Sequence, residues 1–140
     1  MNSFPLKKET IIIGLVSFSV ILVILLLVVA FNNSQYPDPE DWAKGTFVKE
    51  VPSPSNQSSI QMYLVDEGGA TVRSQMRGEV VYSTQETRNI YLNYDEDRTD
   101  VHWLNKETVI INGERLNIKE DVYFWKDDPD WEEKREKKYE

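Results

Sequence analysis

The stretch IIIGLVSFSVILVILLLVVAF, residues Ile11 to Phe31, organises the rest of the chain. It contains no charged residue, and its only polar side chains are Ser17 and Ser19. Because a helix rises about 1.5 Å per residue, this stretch spans roughly 30 Å, the thickness of the hydrocarbon core of a bilayer. It therefore predicts a single transmembrane helix in contact with the lipid bilayer.

Basic residues beside this helix predict its orientation. Lys7 and Lys8 directly precede it, whereas the first basic residues after it are Lys44 and Lys49. The positive-inside rule therefore favours a cytoplasmic N-terminus and a C-terminal domain outside the cell membrane. The competing interpretation is a signal peptide cleaved after Ala30. A signal peptide has an apolar region of about 7–15 residues, so the length found here favours a retained signal anchor.

The remaining chain divides by composition. Two prolines, Pro37 and Pro39, stop a helix from continuing and indicate an extended stalk. The C-terminal residues are almost all charged, which predicts a short surface helix or a disordered tail. The predicted organisation is a cytoplasmic leader at 1–10, the transmembrane helix at 11–31, a stalk at 32–45, an extracytoplasmic β domain at 46–126 and a charged tail at 127–140.

Short apolar runs separated by turn residues predict an all-β domain. In one run, Ile60, Met62 and Leu64 alternate with Gln61 and Tyr63, so a strand places the two sets on opposite faces. Six or seven short strands at roughly ten-residue spacing indicate an antiparallel β-sandwich or a small barrel. Extended segments are predicted at 46–51, 59–65, 70–83, 87–94, 101–104, 108–111 and 114–118, with an interruption near residue 78 and a bulge or short turn near 73–77.

The sharpest local signal is the pair Asn112-Gly113, which lies between TVII and ERLNI. Both residue types accept positive φ at low cost, so Asn-Gly between two strand-like runs is typical of a type I′ hairpin turn. The sequence therefore predicts a tight hairpin centred on these two residues.

The composition excludes several classes of function. The formal net charge is −8, and because Lys7, Lys8 and Glu9 contribute +1, the chain after the helix carries −9. Such an acidic domain argues against binding to nucleic acid or to anionic lipid. The chain has no cysteine, which excludes disulfides, thiolate chemistry and thiolate zinc sites.

The acidic segment 95–102 is the candidate for a metal site. Asp95, Asp97 and Asp100 offer oxygen ligands of the kind that Ca²⁺ takes, and His102 is the only histidine. An EF-hand loop counted from Asp95 needs glycine at its sixth position and glutamate at its twelfth, and the chain has Asp100 and Lys106 there. The favoured interpretation is a solvated acidic turn. The alternative is a metal-dependent or hydrolytic domain that uses this segment.

Aromatic and basic residues provide the candidate binding face. Arg88, Tyr91, Tyr94 and Arg98 are close in sequence, and residues of these types dominate interface hot spots. The favoured interpretation is nevertheless ordinary packing of tyrosines on a sheet, and the binding face is the alternative. No nucleophile, zinc-protease or phosphate-binding motif occurs, and an isolated His102 lacks the partner that a general base needs. The sequence therefore predicts neither an enzyme nor a cofactor.

Several short pieces of the domain carry a family resemblance when taken in order: Tyr63–Val65, Gly68–Val72, Arg77–Glu79, Asn89–Tyr94, Val101–Leu104, Thr108–Gly113 and Leu116–Ile118. Together they resemble a known family. It is a family of small single-span proteins of unknown function from Gram-positive bacteria (bacilli and relatives), and the resemblance covers Ser59 to Trp125. It implies a bacterial membrane-anchored protein with an extracytoplasmic β domain, and it implies no activity, cofactor or catalytic residue. We expect a tethered β module that binds a protein or envelope component.

Overall fold

A computed structural model describes residues 7–33, 37–66, 68–69 and 71–138 of the chain. The chain forms two compact units that divide after Pro37. The described residues leave out 1–6 of the predicted leader, 34–36 of the predicted stalk and 139–140 of the predicted tail. They also leave out residue 67, in the turn before the predicted third extended segment, and residue 70, where that segment begins.

The first unit contains helix α1, Lys8–Asn33. Its apolar side chains from Ile11 to Phe31 are exposed along the whole length, so water would meet a continuous apolar surface. Ser19 Oγ donates a hydrogen bond to the Val16 carbonyl at 2.8 Å, which satisfies this hydroxyl within the helix. The helix is long and apolar enough to cross a bilayer, as the sequence predicts. Its orientation stays a prediction.

The second unit is a two-layer β domain. A five-stranded sheet has the order β1-β2-β3-β4-β8 and a three-stranded sheet the order β5-β6-β7. All pairs are antiparallel except β4 with β8. The predicted fold class is confirmed, with a two-residue eighth strand added to the six or seven expected. The strands are β1 (Thr46–Pro52), β2 (Ser58–Val65), β3 (Gln75–Tyr82), β4 (Thr87–Tyr94), β5 (Val101–Trp103), β6 (Thr108–Ile111), β7 (Glu114–Asn117) and β8 (Tyr123–Phe124).

The core lies between the two sheets. Ile60 and Met62 are fully buried while Tyr63 on the opposite face is partly exposed, which confirms the alternation predicted for β2. Gly78 in β3 allows the sheets to approach, because a Cβ there would lie 3.1 Å from Tyr91 Cβ and 3.3 Å from Ile111 Cδ1. The buried residues of this core are Ile60, Met62, Met76, Val80, Ile90, Tyr91, Val101, Val109, Ile111, Leu116 and Ile118.

The predicted hairpin joins β6 to β7. Asn112 and Gly113 have φ of 50° and 95°, the positive values that a type I′ turn requires. The Asn112 side chain also accepts a hydrogen bond from Asp100 N at 2.8 Å and donates to Arg98 O at 2.9 Å. The turn residue thus holds the hairpin against the segment that enters the second sheet.

The interruption predicted near residue 78 is confirmed as a shift in strand register. Strand β3 begins only at Gln75, and its register with β4 shifts between Gly78 and Glu79. The shift places one extra residue, Ile90, in β4, so that two consecutive side chains of β4 point to the same face of the sheet. As a result both Ile90 and Tyr91 reach the core, although strict alternation would separate them.

A second cluster covers the other face of the five-stranded sheet near β4 and β8. Trp42, Leu92 and Phe124 are buried there, with Trp125 packed against them. Two short 3-10 helices, Pro39–Asp41 and Trp125–Asp127, flank the cluster in sequence. Helix α2, Trp131–Lys137, forms in the predicted tail and buries its first residue beside Trp125.

Candidate binding groove

The segment Asp38–Gly45, which we call the strap, crosses the outer face of the five-stranded sheet. Asn89 of β4 donates a hydrogen bond to the Pro39 carbonyl at 2.7 Å. Arg77 of β3 donates to the Lys44 carbonyl, and Gly45 lies directly against the backbone of Leu64 in β2. The strap therefore runs from β4 to β2, and part of the segment predicted as a stalk packs on the domain.

Gly45 is required where the strap meets the sheet edge. Its φ is +69°, a conformation that glycine adopts without strain. A Cβ at this position would lie 2.5 Å from the Leu64 carbonyl oxygen, closer than any ordinary contact. The close approach brings the strap down onto the sheet just before β1 begins.

Arg77 is the residue that attaches the strap to the sheet. Its side chain is only 4% exposed, and its guanidinium lies 4.2 Å from the ring centroid of Tyr63. Nε and Nη2 donate to the Lys44 carbonyl at 3.2 and 2.8 Å, and Nη1 donates to Asn89 Oδ1. Glu79 Oε1 lies 3.7 Å from Nη1 and balances the buried positive charge. These contacts satisfy the donors that burial removes from water.

A groove of about 940 Å³ opens on this outer face beside the strap. Tyr63, Arg77 and Glu79 come from β2 and β3, while residues Asp38 to Lys44 contribute the strap side. Its lining is mixed polar and aromatic, and it includes both carboxylates and amide groups that can hydrogen-bond to a ligand. The residues of the groove are Asp38, Pro39, Glu40, Trp42, Lys44, Tyr63, Arg77, Glu79, Tyr82, Glu86, Thr87, Arg88, Asn89 and Val122.

The opposite side of the groove is held by Arg88. Its Nη1 donates to the Ile118 carbonyl at 2.8 Å and to the Asp121 carbonyl at 3.0 Å. Tyr82 Oη donates to the same Ile118 carbonyl at 2.9 Å. These bonds hold the segment that carries Val122 against the first residues of β4. Both sides of the groove are therefore attached to the sheet by side chains of the sheet itself.

Burial and charge change the acidity of Tyr63 in the groove. Partial burial raises the pKa of its phenol, and the negative charge of Glu79 raises it further, against the opposing charge of Arg77. Tyr63 Oη donates a hydrogen bond to Gln61 Oε1 at 2.6 Å. The phenol is therefore a neutral hydrogen-bond donor at physiological pH.

The structure does not bring the candidate metal ligands into one group. Asp95 faces Arg73 at 3.1 Å, whereas Asp97 is 82% exposed and lies 3.3 Å from Lys138 Nζ. Asp100 and His102 are exposed and contact each other at 2.8 Å. In the described parts of the chain, no set of three or more His, Cys, Asp or Glu side chains is placed to hold a metal ion.

The candidate binding face does not form as one surface, although Tyr94 and Arg98 line a common pocket beside helix α2. Tyr91 is fully buried and stacks on Tyr123 with ring centroids 5.3 Å apart, so its inclusion in an exposed face is corrected. Tyr94 is half-buried and stacks on Trp125 at 5.1 Å. Arg98 is bound to Glu96 at 2.9 Å, outside the groove. Of the four, Arg88 alone lines the groove.

A buried charged network beside helix α2 was not predicted. The Glu96 side chain is 2% exposed and contacts the Arg98 guanidinium at 2.9 Å and Lys138 Nζ at 3.0 Å. It also accepts hydrogen bonds from the backbone N–H groups of Asp97 and Arg98 at 3.1 and 3.0 Å. Burial by itself would raise the pKa of Glu96, but the hydrogen bonds from the Arg98 side chain, the Arg98 backbone N–H and Lys138 lower the pKa below its usual range. The network attaches the end of the chain to the β domain.

The groove itself was also missed by the sequence reasoning. Its residues come from the strap, three strands and the segment before β8, so no local motif marks it. The available signal was Trp42, a large aromatic residue in a segment that is otherwise rich in proline and acid. A tryptophan in a solvated stalk exposes apolar area at a cost, which favours packing against the domain.

These features define the class of protein, which is a small β-sandwich domain with a strap-lined groove that follows an N-terminal apolar helix in the chain. The chain belongs to a family of unknown function (DUF5412), which matches residues 7–128. The match includes the whole of helix α1 and confirms the resemblance to a family without an assigned function, while the Gram-positive source and the membrane anchoring stay predictions. Comparison with curated proteins and with solved structures finds no match.

Proposed function

We propose that the chain is a membrane-tethered module whose β domain binds a protein or envelope component outside the cytoplasm. The observation that carries this proposal is the groove on the outer sheet face. The outer face of an antiparallel sheet needs only to be polar and solvated. Here the strap and the residue Val122 before β8 line a groove together with residues of the sheet, and its volume of about 940 Å³ is of the size that binding sites have.

The strap supports a role in binding because its position depends on buried polar contacts. Arg77 and Asn89 together hold the Pro39 and Lys44 carbonyls, so the groove is formed before any ligand enters. A preformed site avoids the cost of ordering side chains and loops during association. Simple anchoring of a stalk does not require a buried arginine, since a solvated linker serves that purpose equally well.

Site-specific photo-crosslinking in cells tests the proposal. A photoreactive residue at Thr87 or at Lys44 lies on the groove, and one at Arg115 lies exposed on β7 as the matched control. We expect the two groove positions to give the same identified adduct and the control position to give none. The proposal is overturned if groove and control positions give the same background of adducts.

Topology has its own test. Protease added to intact cells is expected to remove the β domain, whereas the same treatment should leave a cytoplasmic marker intact. Full protection of the domain in intact cells, with cleavage only after lysis, would show that it lies on the inner side of the membrane.

A further inference from the structure

We propose that the groove takes a basic peptide segment, an inference that deepens the proposed function and rests on it. The argument starts from the charges that a ligand can reach. Asp38, Glu40 and Glu86 are exposed on the groove, and among the described residues no cation lies within ion-pair distance of them. These carboxylates are available to a cationic partner.

The positive charges of the groove are far less available. Arg77 is buried and uses its guanidinium on the Lys44 carbonyl and on Asn89. Arg88 is half-buried and donates to two carbonyls of the segment before β8. Lys44 is the exposed cation of the groove, so the accessible surface presents more acid than base. The overall charge of −8 adds a long-range attraction for cations and a repulsion for anions.

A second observation on the same wall is the unpaired indole of Trp42. The residue lines the groove and is 6% exposed, and its Nε1–H is the buried side-chain polar atom without a partner among the described residues. A buried donor without an acceptor destabilises the structure. An occupant that brings a carbonyl group to Nε1–H of Trp42 removes this penalty by accepting its hydrogen bond.

A basic peptide meets both requirements at once. Its lysine or arginine side chains pair with the accessible carboxylates, and its backbone supplies carbonyl acceptors at every residue. A neutral oligosaccharide offers hydroxyl acceptors but gains nothing from the charge of the groove. An acidic ligand meets repulsion. The charge complementarity therefore favours the basic peptide.

The experiment uses the full chain in neutral detergent micelles. Binding of a fluorescent peptide of alternating lysine and alanine is followed by anisotropy, beside an alternating glutamate–alanine peptide and a neutral chitin oligomer. We expect the lysine peptide alone to bind. The double variant Glu40→Gln/Glu86→Gln should weaken its binding about 5- to 10-fold, the effect of two exposed charge interactions.

The matched control is Glu136→Gln/Asp127→Asn, which removes the same charge at exposed positions outside the lining of the groove and outside the segment that Arg88 holds. It should change the affinity by less than about twofold, because salt screens distant surface charges. Trp42→Phe should weaken binding about 3- to 10-fold, the range for one neutral hydrogen bond. Circular dichroism confirms that each variant is folded.

The outcomes separate the two proposals. Equal losses in the groove and control double variants would show general attraction to an acidic protein and would overturn the inference. Binding of the chitin oligomer in place of the lysine peptide would also overturn it, while the proposed groove function would stand. If neither ligand binds and the groove positions give no specific photo-adduct in cells, the inference and the proposed function both fail.

Discussion

Replacing Glu96 with glutamine tests the buried charged network that attaches the C-terminal end to the β domain. The carboxylate is 2% exposed, and it faces Arg98 at 2.9 Å and Lys138 at 3.0 Å. Glutamine has nearly the same shape, but it is neutral and replaces one acceptor oxygen with an NH₂ donor. Lys138, whose side chain is only 8% exposed, then keeps Asp97 and a backbone carbonyl but loses its buried counter-ion.

The size of the destabilisation depends on how well each of the two cations can be rehydrated after the substitution. Removing one member of a buried ion pair costs about 3–5 kcal/mol. The Arg98 side chain is 50% exposed and can be rehydrated, so we expect the lower end, about 3 kcal/mol. For a domain of this size 1 kcal/mol corresponds to about 4–8 °C, so the unfolding midpoint should fall by roughly 12–24 °C.

Thermal unfolding of the full chain in detergent micelles, followed by near-UV circular dichroism, measures this change. The matched control is Glu132→Gln, because Glu132 pairs with Arg135 at 2.8 Å but its side chain is 68% exposed. An exposed pair of this kind contributes less than about 1 kcal/mol. Equal unfolding free energies for the two variants would refute the reasoning.

The same variant predicts a change in pH dependence. Hydrogen bonds hold the pKa of Glu96 below 4.5, its ordinary value, in spite of burial. A group whose pKa is lowered by folding stabilises the protein above its unfolded pKa, and this contribution is lost as the pH falls through the folded pKa. The native chain should therefore lose more stability than Glu96→Gln between about pH 5 and pH 3. Parallel pH curves would contradict the assignment.

Three further predictions concern the core, the hairpin and the strap. Gly78→Ala should lower the free energy of unfolding by about 1–3 kcal/mol, measured in urea, because its Cβ meets Tyr91 and Ile111 in a packed core. Gly113→Ala should lower the free energy of unfolding by about 1–2 kcal/mol in the same assay, because φ is +95° there and alanine adopts this value only with strain. A Cβ at this position would meet no neighbouring atom, so the backbone strain is the whole effect. Arg77→Met should release the strap, so that trypsin cleaves after Lys44 about tenfold faster, while cleavage elsewhere in the domain changes little. A tenfold faster cleavage corresponds to a loss of about 1.4 kcal/mol in the free energy of local opening.

Much of the domain could be predicted because its signals are local. Strand β4 was expected at 87–94 and forms there, and β2 begins one residue earlier than expected. The hairpin followed from Asn112-Gly113, since positive φ is a property of those two residues. These features need only period-two alternation and turn chemistry, both of which are present in the sequence itself.

The candidate site depends on partners that are far apart in the chain. Trp42 is buried because Phe124 packs against it with ring centroids 5.7 Å apart, and no residue near Trp42 in sequence predicts that contact. Tyr91 was a candidate for an exposed face, but the shift beyond Gly78 and the parallel pairing with Tyr123 place it in the interior. A strand of two residues, such as β8, exists only through its pairing with β4.

By itself the sequence determined the apolar helix at Ile11 to Phe31, the β class of the domain and the hairpin, because length, alternation and turn preference act over a few residues. The tertiary structure decided the strap, the groove and the Glu96 network. In each of these a buried polar side chain meets a group from a distant segment, as Arg77 meets the Lys44 carbonyl. Such pairings form only when the sheet brings the segments together, because a buried donor or charge is stable only with its partner in place.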